Sequence, residues 1–177
     1  MSLTQSIIDQ YPGKTYVETG IWRGDSLQMA INTGYKNVIG IDNDPECIEF
    51  CKNRFDIHGK PGKLRPKLIL GDSATMLYDV CKDIDGKITF LFDAHWQFLE
   101  GTEKGDNPFP LLDELAQVWK LDRSDHTLII DDWHIFYTDR VGYSKERVRA
   151  VIMSINDDYT IRYFANPVID NLIVAHV

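Results

Sequence analysis

No apolar run in this 177-residue chain approaches the ~20 residues needed to cross a bilayer, so a membrane-spanning role is not expected. The opening residues, Met1-Ser2-Leu3-Thr4-Gln5, contain no basic stretch followed by an apolar one, which speaks against a secretory leader. Cysteine is scarce. Cys47, Cys51 and Cys81 make an odd count without metal-ligand spacing, as expected of reduced thiols in a cytoplasmic compartment. Positive charge is short as well: Lys and Arg total 19 against 27 Asp and Glu, a formal net charge of -8. Proteins whose main partner is duplex nucleic acid normally carry a basic excess, so that partner is disfavoured. Internal repeats and low-complexity segments are missing too. What remains is globular composition, 44% hydrophobic and 26% charged, in a chain long enough for one domain with its own core.

Short runs rich in Val, Ile, Leu and Phe alternate with longer amphipathic stretches. Strands are expected at residues 14–19 (KTYVET), 37–41 (NVIGI), 67–70, 88–92 (ITFLF), 127–130 (TLII), 159–164 and 171–176. Helices are expected at 24–33, 45–57, 73–82, 110–120 and 144–155, with Pro45 at a favoured first-turn position and Asp72 or Ser73 as a cap. Leu115 and Trp119 fall on an apolar helical stripe and read as core. Strands alternating with helices imply right-handed crossovers and a doubly wound, Rossmann-like, mostly parallel sheet of seven strands in the order 3-2-1-4-5-7-6. The last two strands are joined by too few residues for a helical crossover, so they pair antiparallel.

In such sheets ligands bind beyond the carboxyl ends of the strands, where the strand order reverses. The first strand delivers Glu18-Thr19-Gly20-Ile21-Trp22-Arg23-Gly24 to that edge. The second delivers Asp42, the third Asp72, the fourth Asp93 and His95, the fifth Asp131, Asp132 and His134. Every strand therefore ends in a carboxylate. Gly20 and Gly24 bracket a strand-to-helix bend that lets the backbone pass close to a ligand. The dinucleotide fingerprint G-x-G-x-x-G is not there, because Trp22 stands at its second glycine, where an indole crowds a diphosphate. Asp42 is placed to accept from two ribose hydroxyls and Asp72 from an adenine amino group. Each acid could instead be a plain helix cap, but the ordered set describes a pocket for an adenosyl ligand without a diphosphate.

The runs VETGIWRGDSL, GIDNDP and LGDSATML resemble the successive motifs of class I S-adenosylmethionine-dependent methyltransferases. FLFDAHW and LIIDDWH are more specifically similar to the metal-dependent macrocin O-methyltransferase (TylF-like) group, and the resemblance spans residues 16–133. It implies a methyltransferase that binds S-adenosylmethionine, with Glu18 and Gly20 at the methionine end, Trp22 and Gly24 framing the bend, Asp42 at the ribose and Asp72 at the adenine. Asp93, Asp131 and Asp132 would match the group's metal-binding acids. Members of the group carry an N-terminal helical segment over the substrate, whereas only about a dozen residues here precede the first strand. Cover would then come from the 101–110 loop, from a large acceptor such as a glycan, or from a second subunit of a homodimer.

The acid cluster also argues for itself. Neighbouring strands lie about 4.8 Å apart, so Asp93 and Asp131 should approach each other with Asp132 adjacent. Like charges in a cleft are unfavourable unless protonated or bridged by a cation, and all-oxygen ligands favour Mg²⁺ or Ca²⁺. Asp93 or His95 would take the proton of an acceptor hydroxyl, on a small molecule or a sugar, and His134 could act as base or ligand. Trp96 and Trp133 could make a stacking platform for the acceptor. Competing readings are a metal-dependent hydrolase built on Asp93, His95, Asp131 and His134, and a binding module that keeps the cofactor pocket without catalysis.

Overall fold

The computed structural model describes residues 3–57, 64–95, 107–137, 141–166 and 169–177. In chain order the elements are Gln5–Ile8 (α1), Thr15–Thr19 (β1), Asp25–Thr33 (α2), Asn37–Asp42 (β2), Pro45–Arg54 (α3), Lys67–Leu70 (β3), Ser73–Cys81 (α4) and Ile88–Phe92 (β4). They continue with Leu111–Trp119 (α5), Thr127–Ile130 (β5), a short 3-10 turn at Trp133–Ile135, Lys145–Ile155 (α6), Thr160–Asn166 (β6) and Ile169–His176 (β7). Helix starts follow local chemistry. The Asp44 carboxylate accepts from the Glu46 amide at 2.7 Å with Pro45 in the first turn, Asp72 accepts from Ala74 N at 3.0 Å, and Ser144 Oγ accepts from Arg147 N at 3.3 Å.

The strands form one sheet in the order β3-β2-β1-β4-β5-β7-β6. β1 to β5 run parallel, and β7 is antiparallel to both β5 and β6, as the sequence implies. The β6–β7 pairing reaches Asn166 opposite Ile169, so the connection between these strands is shorter than the 165–170 expected. Side chains alternate between the two faces of the sheet. Val17, Phe90, Phe92, Leu128 and Ile130 pack with the buried residues of α4, α5 and α6. Tyr16, Leu91, Ile129 and Leu172 pack with those of α1, α2 and α3. This explains why 88–92 and 127–130 are nearly all apolar, with only the buried Thr89 and Thr127 as exceptions: both faces are covered. Burying each such Leu, Ile or Phe contributes about 1.5–3 kcal/mol.

Three expectations need correction. The helix α1 precedes the first strand and was not foreseen; its Gln5 bonds to the Met29 carbonyl and to Thr33 Oγ, so it lies along α2 rather than over the carboxyl edge. The second long helix stops at Arg54, three residues short of the expected end. Trp119 is not core: it is 63% exposed at the end of α5, while Leu115 is fully buried.

Where the strand order reverses, between β1 and β4, backbone pairing continues one residue past the strands. Gly20 N donates to Ile41 O at 2.9 Å, Gly71 N to Asp42 O at 2.9 Å, Asp93 N to Thr19 O at 3.0 Å and Asp131 N to Phe92 O at 3.1 Å. The five strand ends are thus held level along one edge. At the opposite edge His126, just before β5, accepts from Ile88 N through Nδ1 at 3.1 Å and sets its ring edge-on against Phe90. Burial pushes its pKa down from 6.5 to about 4. The unfolded chain therefore takes up this proton first, and the stability it lends is present above its ordinary pKa and lost as pH falls toward the folded value. Urea unfolding at about pH 7.5 and about pH 4.5 should show a loss that shrinks in His126→Gln, whose amide oxygen can still accept from Ile88. An unchanged pH slope in that variant would refute the assignment.

Candidate functional site

The bend after β1 is shaped by two constraints. Gly20 has φ +76°, and a Cβ built on it would stand 2.5 Å from the Asp93 carbonyl oxygen and 2.7 Å from Ala94 Cα. No other residue fits without moving the chain that follows β4. The second constraint is Asp42. Its Oδ2 accepts from Ile21 N at 2.9 Å and Trp22 N at 3.2 Å, and its Oδ1 accepts from Asp44 N at 2.9 Å. The acid that ends β2 therefore holds the bend that ends β1. Burial raises its pKa, and these three amides pull it back. Trp22 itself is left-handed at φ +39°, the conformation a glycine would adopt most readily, with its ring 58% exposed at the rim and stacked against the Arg23 guanidinium. Gly24, at φ +77°, precedes α2.

Beneath the bend, Glu18 points to the α2 face of the sheet, where it accepts from Ser26 Oγ and, at 3.4 Å, from Tyr16 OH. Burial pushes its pKa up to about 8, against the pull of those two hydroxyls. Asp72 caps α4, which is one of the two roles its sequence position allowed.

Beyond β4 and β5 the acids crowd together. Asp93 has a pKa raised well above the carboxylate range by burial and by the charges of Asp131, Glu18 and Asp132. His95 lies between two carboxylates, Nδ1 3.6 Å from Asp93 Oδ1 and Nε2 3.1 Å from Asp132 Oδ2. Asp132 adopts the left-handed region at φ +48°, which is costly for a side-chain-bearing residue and marks a constrained turn. Although burial would raise the pKa of Asp132, the neighbouring His95 and His134 bring it below the usual value. Donor atoms of Asp93, His95 and Asp132 all lie within 4.8 Å of one another, a set able to hold a metal ion. Asp131 stands beside them, buried, its Oδ1 accepting from Asp132 N at 2.8 Å. His134 Nδ1 is 3.8 Å from Asp132 Oδ1.

A shallow recess of about 10 Å³, room for roughly one water molecule, opens next to Asp93 and His95, walled by Phe92, Phe109, Phe136 and Tyr143. Its unforeseen polar member is Glu114 of α5, which is fully buried, accepts from Ser73 Oγ at 2.6 Å, and has a pKa pushed by burial up to about 7. Glu114 lies on a flank of the apolar stripe of α5, three residues from Leu111 and four from Val118, a position whose burial depends on which neighbour covers that side. The stacking platform is not borne out for Trp133, which is 2% exposed and packed against Phe136 and Tyr163. Trp96 and most of the 101–110 loop lie outside the described residues.

No protein-family model and no curated protein matches this sequence. Solved structures do match in shape. A candidate rRNA methylase from Clostridium thermocellum superimposes with a TM-score of 0.66 at 16% identity, covering 97% of this chain and 94% of that one. The S-adenosylhomocysteine-bound methyltransferase of Podospora anserina gives 0.62 at 14% identity, covering 97% and 75%. A candidate caffeoyl-CoA O-methyltransferase from Staphylococcus aureus gives 0.60 at 15% identity, covering 97% and 81%. The fold is the Rossmann-like fold of class I S-adenosylmethionine-dependent methyltransferases.

The buried Glu18 yields a test of the site's electrostatics. Its folded pKa is raised, so the stability linked to it is present below the ordinary value of 4.5 and lost as pH rises toward about 8. Thermal melts over that window should show Glu18→Gln gaining on the parent protein as pH increases, with the gap levelling off beyond it. A gap independent of pH would contradict the buried, proton-holding state.

Proposed function

We propose that this protein transfers the methyl group of S-adenosylmethionine to a hydroxyl of a small molecule or sugar, with a divalent cation beside the acceptor. The observation that carries the reading is the contact between the Gly20 bend and the Asp93 backbone at the point where the strand order reverses. It joins the bend suited to an adenosyl ligand and the acid cluster into one mouth. The residues fit the cofactor: glycine at 20 lets the bend lie against the chain that follows β4, and Trp22 takes the place where a diphosphate-binding loop needs glycine. In this reading Glu18 and Gly20 face the methionine end, Asp42 the ribose and Asp72 the adenine, while Trp22 and Gly24 frame the bend. The residues fit a cation as well, since Asp93 and Asp132 supply oxygen donors and His95 a nitrogen, with Asp131 adjacent.

S-adenosylmethionine supplies a methyl on a positively charged sulfur, and a divalent cation supplies positive charge at the acceptor oxygen. The chain's own residues do the rest. The acceptor would approach beside Asp93 and His95, where Phe92, Phe109, Phe136 and Tyr143 line the edge and limit water around a transfer in which charges are neutralised. Asp93 or His95, whose Nδ1 stands 3.6 Å from Asp93 Oδ1, takes the proton the hydroxyl gives up. A metal-dependent hydrolase would use the same acids and histidine but leaves the Gly20 bend and its Asp42 clamp without a task.

Calorimetric titration with S-adenosylhomocysteine tests the reading. The parent protein should bind in the micromolar range; Gly20→Ala should weaken binding by about 100-fold, and Asp42→Asn by about tenfold through loss of one amide clamp. Asp93→Asn should keep the binding and lose methyl transfer. Absence of heat and of any thermal shift at about millimolar ligand would remove the proposal.

A further inference from the structure

The side chains that converge beyond β4 and β5 are not the three carboxylates that alternate acids at strand ends would suggest. They are two carboxylates and an imidazole. His95 faces Asp132 Oδ2 through Nε2 at 3.1 Å and Asp93 Oδ1 through Nδ1 at 3.6 Å, and the three donors lie within 4.8 Å of one another. Ligand atoms bound to one ion at about 2.1 Å stand roughly 3–4 Å apart, so an ion taking one nitrogen of His95 would draw the set, now within 4.8 Å, closer together by side-chain rotation.

Asp131 takes a different part. Its Oδ1 accepts from the Asp132 amide at 2.8 Å, and the Asp132 carbonyl accepts from Ile135 N at 2.9 Å. These two bonds hold Asp132 in its left-handed conformation, with its carboxylate beside His95. A second observation points to the same spot from the other side. His134 Nδ1 is a buried ring nitrogen with no hydrogen-bond partner among the described residues, 3.8 Å from Asp132 Oδ1. The His134 side chain is about one-third exposed, and its Nδ1 faces the Asp132 carboxylate at a distance too long for a hydrogen bond, which leaves that nitrogen available to an ion held by the cluster.

We propose that Asp93, His95 and Asp132, with His134 in reserve, form a mixed nitrogen–oxygen centre that selects a borderline transition metal of the Mn²⁺, Fe²⁺, Co²⁺ or Zn²⁺ class over Mg²⁺ and Ca²⁺. The physical ground is donor chemistry. Mg²⁺ and Ca²⁺ take oxygen ligands and gain little from imidazole, whereas first-row transition ions bind it well. Asp131 serves as a positioning residue that sets the Asp132 turn. The inference rests on the proposed function for the location of the cation, but it concerns the donors and can fail separately.

The test uses the whole chain and Mn²⁺ as the probe, read by loss of the free-ion electron paramagnetic resonance signal and by thermal shift. One Mn²⁺ should bind per chain, resisting about a hundredfold excess of Mg²⁺ and yielding to Zn²⁺. His95→Gln should weaken Mn²⁺ by about 30-fold while leaving Mg²⁺ binding within a few-fold, erasing the preference. Asp131→Asn, whose oxygen can still accept from Asp132 N, should stay within a few-fold of the parent. Circular dichroism of each variant separates a lost ligand from a lost fold. Equal affinity for Mg²⁺ and Mn²⁺, or Mn²⁺ affinity unmoved by His95→Gln in a folded protein, would overturn the centre. So would no binding of either ion, which would leave the His95 ring bridging two carboxylates by its own contacts alone. Titration of the same protein with S-adenosylhomocysteine in chelator keeps the two readings apart. Cofactor binding without Mn²⁺ binding defeats this inference alone, and the reverse defeats the proposed function alone.

Discussion

Everything at the working edge depends on the continuation of backbone pairing past the strand ends. The amides of Gly20, Gly71, Asp93 and Asp131 donate to carbonyls of neighbouring strands, and so fix where each following residue emerges. Parallel ladders are evenly spaced, so one bond beyond each strand keeps the ends level instead of letting them fray. The consequence is chemical. Carboxylates from β2, β4 and β5 arrive at one height, and the bend after β1 is drawn against the chain after β4 so closely that only glycine fits at position 20.

That levelling sets up an electrostatic problem which the rest of the site answers in two ways. On the α2 side, Glu18 is buried among hydroxyls and keeps its proton up to about 8, so it contributes a hydrogen-bonding group with little charge at neutral pH. Beyond β4 and β5, burial and like-charged neighbours raise the pKa of Asp93, while His95 and His134 bring that of Asp132 down, His95 lying between the two carboxylates. Glu114 belongs to the first kind, with Ser73 taking the role that Ser26 has for Glu18. Because successive residues face opposite sides of the sheet, Glu18 answers to α2 and the chain beside Glu114 to α4 and α5. One strand end therefore couples both layers to the same mouth.

Most of the fold was legible because burial on both faces of a parallel strand leaves a simple trace. The runs at 88–92 and 127–130 match the observed strands at both ends; so does 67–70, although that edge strand is only partly covered. The short link between the last two strands dictated the antiparallel pair. Trp119 shows the limit of periodicity. At about 100° per residue it lies some 80° from the centre of the α5 stripe, on the flank of Leu112, while Glu114 lies about 60° off on the other flank. Spacing alone cannot say which flank a neighbour covers. Here α4 covers the side of Glu114 and Gln117, whose amide reaches the Ala74 carbonyl at 3.1 Å, so the acid is buried and the indole is exposed. The small helix α1 was hidden for a different reason: four residues give too little period to read.

The site was legible as a list of residues, while their division of labour was not. Strand ends placed Asp42, Asp93, Asp131 and Asp132 correctly at one edge, because position along a strand is a backbone property. Which atom each carboxylate meets depends on side-chain torsions and on the turn that follows, and those come from tertiary packing. Asp42 stands at this edge as its position implies, and three amides of its own chain engage it as well, so the acid holds the bend and thereby shapes whatever the bend receives. Asp131 and Asp132 are adjacent in sequence and looked interchangeable. The left-handed Asp132 separates them, sending one carboxylate back to its neighbour's amide and the other across to His95. A single backbone angle thus decides whether the cluster offers three oxygens or two oxygens and a nitrogen.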